Sequence, residues 1–216
     1  MTQILGTMLS LYHQYLFLPL PFAVWPVPYF IPFWVIYSWS FLQERSLNQA
    51  AIRSAKSGSN LDKGSFRLIL WSSRMSRVVG YILAFITAPW PSGNQRVLVY
   101  VLGLICMISG ALIRRTCFKL LARSFTGTLA VPKDGKIVED GMYRLVRHPA
   151  YTGGFIFVLG LGLASTNLWS LLLLTIASVI MFWYRVRVEE RMLVGSLGAA
   201  YVNYMSRTKR FIPYVF

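Results

Sequence analysis

Long runs without a charged residue alternate with short clusters of Lys and Arg along the chain. The uncharged runs cover residues 1–43, 78–90, 97–113 and 155–184. About 18 apolar residues are enough for one helix to cross the ~30 Å hydrocarbon core of a bilayer. The pattern therefore predicts an all-α fold, a multi-pass transmembrane helical bundle.

The N-terminal run is long enough for two crossings at ~1.5 Å per residue. Proline interrupts a helix, so we expect a break near Pro19 to Pro28, but one crossing or two remain open at this stage. The second run is short, and its helix is predicted to begin near Phe66.

The run from Phe155 to Tyr184 is too long for one upright helix, because 30 residues would extend ~45 Å. Turn-forming residues, Ser165 to Asn167, lie in its middle. It is therefore either one tilted helix or a hairpin. Only the hairpin places every Lys and Arg except Arg96 on one side, which the positive-inside rule makes cytosolic. We therefore predict about five or six spans, ending in this hairpin and a cytosolic C-terminal helix.

Composition supports a membrane protein. The 216 residues are 56% hydrophobic and 13% charged, whereas soluble domains carry about a quarter charged residues. The net charge of +15 comes from basic loops between apolar runs, so we expect a lipid bilayer as partner and no nucleic acid. With two Cys and two His, the chain offers neither a disulfide framework nor the usual zinc ligands, and no metal is expected.

Two polar clusters flank the predicted hairpin on the same membrane face. Residues 143–151 read Y-R-L-V-R-H-P-A-Y and enter it. The residue before a proline is pushed out of helical geometry, and proline is favoured at the first helical position, so His148 is predicted at the helix N-cap. Gly153 and Gly154 would let a ligand or another helix approach closely. A basic interfacial anchor is the alternative interpretation of this cluster.

The second cluster, Arg185 to Glu190, leaves the hairpin. Arg185 and Glu189 are four residues apart and share one helix face, but Arg before Glu is the weaker order for a stabilising pair. A juxtamembrane salt bridge and a functional pair both remain open from these residues alone.

Together, these clusters resemble the isoprenylcysteine carboxyl methyltransferase family. The similarity extends over about residues 135–213. It rests on G-M-Y-R-L-V-R-H-P-A-Y-T-G at 141–153, Arg185 with Glu189-Glu190, L-G-A-A-Y-V-N-Y at 197–204 and R-F-I-P at 210–213. The resemblance implies a multi-pass membrane enzyme that transfers a methyl group from S-adenosylmethionine to a lipidated carboxylate. The chain then divides into N-terminal transmembrane helices with a basic loop (1–126) and a catalytic C-terminal region (127–216).

The same resemblance implies roles for individual residues. Arg185 would hold the methyl acceptor and Glu189 the donor, and these two are the candidate catalytic residues. The other expected donor contacts are Lys136, Ile137, Val138, Tyr143, His148, Pro149, Ala150, Tyr151 and Glu190.

Methyl transfer from a sulfonium to a carboxylate removes two opposite charges, so positioning and a water-poor site would favour it. The acceptor would enter from the membrane. Its identity is not fixed by the sequence. The alternative functions are an NADPH-dependent membrane reductase, resembling the steroid 5α-reductases that carry a similar RHPxY motif, and a non-enzymatic membrane scaffold.

Overall fold

A computed structural model describes residues 21, 29–42, 65–91, 93–122 and 137–211. The described part is all helical, apart from one isolated bridge between Val146 and Lys209. Its helices are α1 (Tyr29–Leu42), α2 (Ser65–Ile86), α3 (Gln95–Ala122), α4 (Pro149–Ala164), α5 (Leu168–Leu197) and α6 (Ala199–Arg207), with a 3-10 turn at Gly141–Arg144. The all-α prediction is confirmed. A first N-terminal crossing and, apart from Pro21, the predicted proline break fall outside the described residues.

The last uncharged run forms a hairpin, as predicted, because α4 and α5 are separated by a tight turn. Thr166 takes a positive φ of 48°, and Asn167 caps α5 by accepting a hydrogen bond from the Ser170 amide at 3.0 Å. The Asn167 side chain also donates to Thr87 Oγ1 at 2.7 Å. The hairpin tip is thereby tied to the segment that follows α2.

Glycines bring α3 and α4 into backbone contact. A Cβ added to Gly110 would lie 2.5 Å from the Phe157 amide nitrogen, and one added to Gly103 would lie 2.4 Å from that of Ala164. On the facing helix, a Cβ on Gly153 or Gly160 would meet Gly110 or Gly103 in the same way. Small residues at such positions let membrane helices approach closely. This seam fixes α4, and with it the start of the hairpin.

The buried core lies between α1, α3, α4 and α5. Its members are Phe33, Tyr100, Met107, Leu161, Ala164 and Leu174. Helix α2 joins α5 through a hydrogen bond from the Ser170 hydroxyl to the Gly80 carbonyl.

Two described helices, α3 and α5, are long and apolar enough to cross a membrane by length and composition. Their surfaces carry large apolar side chains that the bundle does not cover, such as Ile105, Ile176 and Ile180, each more than half exposed. Apolar patches of this kind require a partner phase, which supports membrane association. The count of five or six spans stays a prediction.

Replacing Gly110 with Ala should separate α3 from α4, because the new methyl group has no space against the α4 backbone. We expect a loss of about 1–3 kcal/mol, as for other overpacked sites, measured by thermal unfolding in detergent. Gly195→Ala is the matched control, because Gly195 is a helical glycine with nothing within 4 Å of its added Cβ. An equal effect in both variants would contradict the close seam.

Candidate active site

The entrance to α4 lies beside the C-terminal tail. The Arg147 amide donates to the Lys209 carbonyl at 2.7 Å, and the His148 amide donates to the Arg210 carbonyl at 3.1 Å. The Lys209 amide donates back to Leu145 at 3.3 Å. His148 is the N-cap of α4, as predicted, with Pro149 as the first helical residue. This short pairing holds the C-terminal tail against the start of α4.

Glu190 is the centre of a buried ionic cluster. Its Oε1 accepts from Arg147 Nε at 3.0 Å and lies 3.3 Å from His148 Nε2. Its Oε2 lies 3.0 Å from Nε and 2.9 Å from Nη2 of Arg210. The Glu190 residue is only 5% exposed, and burying a charge is tolerated only when it is paired. Glu190 therefore links α5, the start of α4 and the tail.

Arg147 also makes hydrogen bonds to the backbone that the sequence did not predict. Its Nη1 donates to the backbone carbonyls of Met205, at 2.9 Å, and Thr208. Carbonyls at the end of a helix lack partners within the helix, so Arg147 caps the C-terminus of α6. The only signal available in the sequence was the scarcity of carboxylates among so many basic residues, which did not identify the partners.

Arg185, Tyr151 and Glu189 form a second cluster next to the first. The Tyr151 hydroxyl donates to Glu189 Oε2 at 2.7 Å and accepts from Arg185 Nε at 3.3 Å. Arg185 is buried, whereas Glu189 is half-buried. The two residues that share a helix face are thus connected through a tyrosine of α4. Among the described side chains, only Tyr151 hydrogen-bonds Glu189, which leaves Glu189 Oε1 available.

Tyr143 is about as buried as Glu190 and Arg185. Its carbonyl accepts from the Tyr204 hydroxyl at 2.6 Å, and its side chain is buried, as is that of Cys117. Burial raises the pKa of Tyr143, so the phenol stays neutral. Its side chain is therefore used in packing, and its backbone anchors α6.

The remaining candidates are spread around this region. Pro149 is buried, and the Ala150 carbonyl accepts from Arg114 Nη1 at 3.3 Å. Ile137 and Val138 are half-buried in a segment without regular secondary structure, while Lys136 lies outside the described residues. Gly154 faces Arg114 and Phe182, and Gly153 faces α3. Of the two expected uses of these glycines, the structure shows the approach of a helix.

The arrangement places a guanidinium and a carboxylate on either side of one hydroxyl. Such a site can bind an anion at Arg185 and a cation or hydroxyl groups at Glu189. Within the described ranges, no three His, Cys, Asp or Glu residues group as they would around a metal ion. The chemistry that these residues themselves offer is polar binding and orientation.

Comparisons with known proteins agree with this region. A family model described as phospholipid methyltransferase matches residues 98–200. Protein-S-isoprenylcysteine O-methyltransferase B of Arabidopsis thaliana is 29% identical over 128 residues, which are 58% of this chain and 65% of that protein. The protein-S-isoprenylcysteine O-methyltransferase of Schizosaccharomyces pombe is 34% identical over 116 residues, covering 53% and 48%.

A solved structure shares the fold. It is a eukaryotic intramembrane Ras methyltransferase, isoprenylcysteine carboxyl methyltransferase, with a TM-score of 0.57 and 22% sequence identity. The alignment covers 89% of this chain and 70% of that one. The matched segment spans about half to two thirds of the length of the two curated relatives.

Replacing Glu190 with Gln should loosen the tail, because the charges of Arg147 and Arg210 lose their counterion. Breaking a buried ion pair on one side costs about 3–5 kcal/mol. We expect a lower unfolding temperature and faster proteolysis after residue 197. Glu139→Gln is the control, since Glu139 pairs with Arg207 at 3.2 Å while exposed, a setting worth about 0–1 kcal/mol. Equal destabilisation by both changes would contradict the central role of Glu190.

Proposed function

We propose that the chain, like the isoprenylcysteine carboxyl methyltransferases to which it is similar, transfers a methyl group from S-adenosylmethionine to a lipophilic carboxylate at the Arg185 cluster. The acceptor that fits best is an isoprenylcysteine-like molecule. The observation that carries the proposal is the Tyr151 hydroxyl, which holds Arg185 and Glu189 side by side. One site for an anion thereby lies next to one for a cation.

The side chains of this site fit S-adenosylmethionine, which when bound supplies an electrophilic methyl group on a sulfonium. Glu189 has an oxygen available to pair with an ammonium group or ribose hydroxyls, and its half-buried position allows access. Glu190 differs, because both of its oxygens are taken by basic side chains. We therefore assign donor binding to Glu189 and positioning of His148 to Glu190. Contacts from residues 136–138, Tyr143 and 148–151 complete the proposed donor site.

Arg185 orients the acceptor in this proposal. A guanidinium presents parallel N–H donors that match both oxygens of a carboxylate, and Arg185 is buried at 6% exposure. A water-poor setting strengthens this orientation. A carboxylate is already a nucleophile, so no general base is required, and His148 is not given that role. Catalysis then rests on positioning and exclusion of water.

The proposed topology follows from the charges. The Arg185 cluster lies at the end of the hairpin opposite the tip at Asn167, on the side that the basic loops make cytosolic. A polar donor enters from the cytosol, and an apolar acceptor enters sideways from the bilayer. This topology keeps the division into N-terminal helices (1–126) and a catalytic region (127–216), with the C-terminus in the cytosol.

Arg185→Ala and Glu189→Gln should each reduce methyl transfer by at least ~100-fold, because misplaced reactants alone can cost that much. The measurement is transfer of a radiolabelled methyl group from the donor to a farnesylcysteine analogue in proteoliposomes. Arg187→Gln is the matched control, since Arg187 is an exposed arginine two residues further on that stacks over Trp183. It should retain activity.

Retained turnover in both cluster variants would instead support a non-enzymatic scaffold. Retention of NADPH rather than the methyl donor by the purified protein would support the reductase alternative. Incubation of membrane lipids with a trideuteromethyl donor, followed by mass spectrometry, identifies the acceptor class from the labelled product.

Tyr151→Phe should leave the fold intact and slow methyl transfer by about 10–100-fold, because Arg185 and Glu189 lose the hydroxyl between them. The unfolding temperature and the rate are measured on the same preparation. A rate equal to that of the unchanged protein would show that the bridge does not matter for turnover.

A further inference from the structure

Arg114 and Arg115 are neighbours near the C-terminal end of α3, and both directly follow an apolar run. The structure gives them different surroundings. Arg115 is exposed, whereas Arg114 is half-buried and its Nε is buried. An arginine that only anchors a helix at the headgroups extends its charged end into water. Arg114 instead turns towards α4.

The Arg114 guanidinium lies across the first turn of α4. Its Nη1 donates to the Ala150 carbonyl at 3.3 Å. A Cβ added to Gly154, one turn further along α4, would lie 2.7 Å from the same nitrogen. The guanidinium carbon also lies 5.2 Å from the centre of the Phe118 ring on α3, a distance at which a cation is attracted to an aromatic face. The carbonyl, the space left by the glycine and the ring together hold the guanidinium in one place.

This contact extends the glycine seam by nearly one turn. A Cβ added to Gly153 would lie 2.8 Å from Ile113 Cγ2, and Gly153 is the first glycine of α4 to meet α3. Ala150 precedes it, so the seam itself does not reach the residues at the start of α4. Arg114 follows Ile113, and its long side chain reaches Ala150. It therefore carries the contact between the two helices to the level of Tyr151.

The position of Tyr151 depends on this turn. The Ala150 carbonyl and the Tyr151 amide belong to one planar peptide unit, and that amide donates to the His148 carbonyl at 3.0 Å. The Tyr151 hydroxyl is the group that lies between Arg185 and Glu189. A shift of the Ala150 carbonyl moves this hydroxyl as well, because the peptide unit is rigid.

We propose that Arg114 is a positioning residue for methyl transfer, because its contact with the Ala150 carbonyl holds Tyr151 where the bridging hydroxyl is needed. The inference rests on the proposed function. Arg114 touches neither reactant and acts through α4. The reaction site then depends on a residue of α3, which lies within residues 1–126 and outside the proposed catalytic region. Gly154 serves the same purpose, since it leaves the space that the guanidinium occupies.

Arg114→Gln should lower kcat for methyl transfer in proteoliposomes by at least ~10-fold, because small displacements of reacting groups are enough for such a loss. Arg115→Gln is the matched control, since it removes the same charge from the exposed neighbouring position, and it should retain the rate. The unfolding temperature of each variant is measured on the same preparation. Equal rates in the two variants would overturn the proposal.

Gly154→Ala keeps Arg114 but displaces its guanidinium, so it should also lower kcat. It decides the question if Arg114→Gln does not fold, because an unchanged kcat in folded Gly154→Ala would overturn the proposal. The added methyl group also meets the Phe182 ring at 3.1 Å. Gly154→Ala should therefore cost more in the unchanged protein than in Arg114→Gln, and an equal cost in both would contradict the proposal.

A double variant separates positioning from a general loss of structure. Effects of independent sites multiply in rate, whereas residues that act together do not show this. Because Tyr151→Phe already removes the bridging hydroxyl, adding Arg114→Gln to it should lower kcat by no more than about twofold, the usual error of independence. A further loss as large as that of Arg114→Gln alone would show that Arg114 does not act through Tyr151.

Amide hydrogen exchange in detergent provides a readout that needs no turnover. Arg114→Gln should speed exchange at residues 151–154, and Arg115→Gln should not. If the unchanged protein transfers no methyl group, the proposed function fails, while faster exchange in Arg114→Gln alone still supports the anchoring of α4, and equal exchange in both overturns it. Methyl transfer that Arg114→Gln leaves unaltered overturns the inference and leaves the proposed function standing.

Discussion

The buried carboxylate of Glu190 holds the C-terminal region in its arrangement. It connects side chains from three segments, Arg147, His148 and Arg210. Removing one partner of a buried ionic cluster costs about 3–5 kcal/mol, so the cluster favours the position of the tail beside the start of α4. Glu189 is the next residue on α5. Fixing Glu190 towards the tail therefore directs Glu189 towards Tyr151.

The second constraint is the glycine seam between α3 and α4. Because the backbones touch at Gly110 and Gly160, α4 has little freedom to slide or rotate. Tyr151 lies just before Gly153, which already contacts the facing helix. The hydroxyl that joins Arg185 to Glu189 is thus positioned by packing within the bundle, whereas Glu190 positions the opposite side.

Local signals in the sequence predicted the local features. The turn residues 165–167 predicted the hairpin. The preference of proline for the first helical position predicted His148 at the N-cap. The same reasoning did not identify the partners of Glu190, because they lie 43, 42 and 20 residues away. It also left open whether Gly153 faced a ligand or a helix. Such pairings are decided by how the helices pack, for which helical periodicity and turn chemistry give no signal.

Adjacent Glu189 and Glu190 have identical side chains but different surroundings, and the two carboxylates differ in their contacts accordingly. Glu190 has every oxygen engaged and stabilises the fold, while Glu189 keeps an oxygen available. Arg185 precedes Glu189 in the order that contributes less to helix stability, and a tyrosine from another helix lies between them. A stabilising pair would favour the opposite order and direct contact. This indirect arrangement is the one that our proposal of ligand binding at the pair requires.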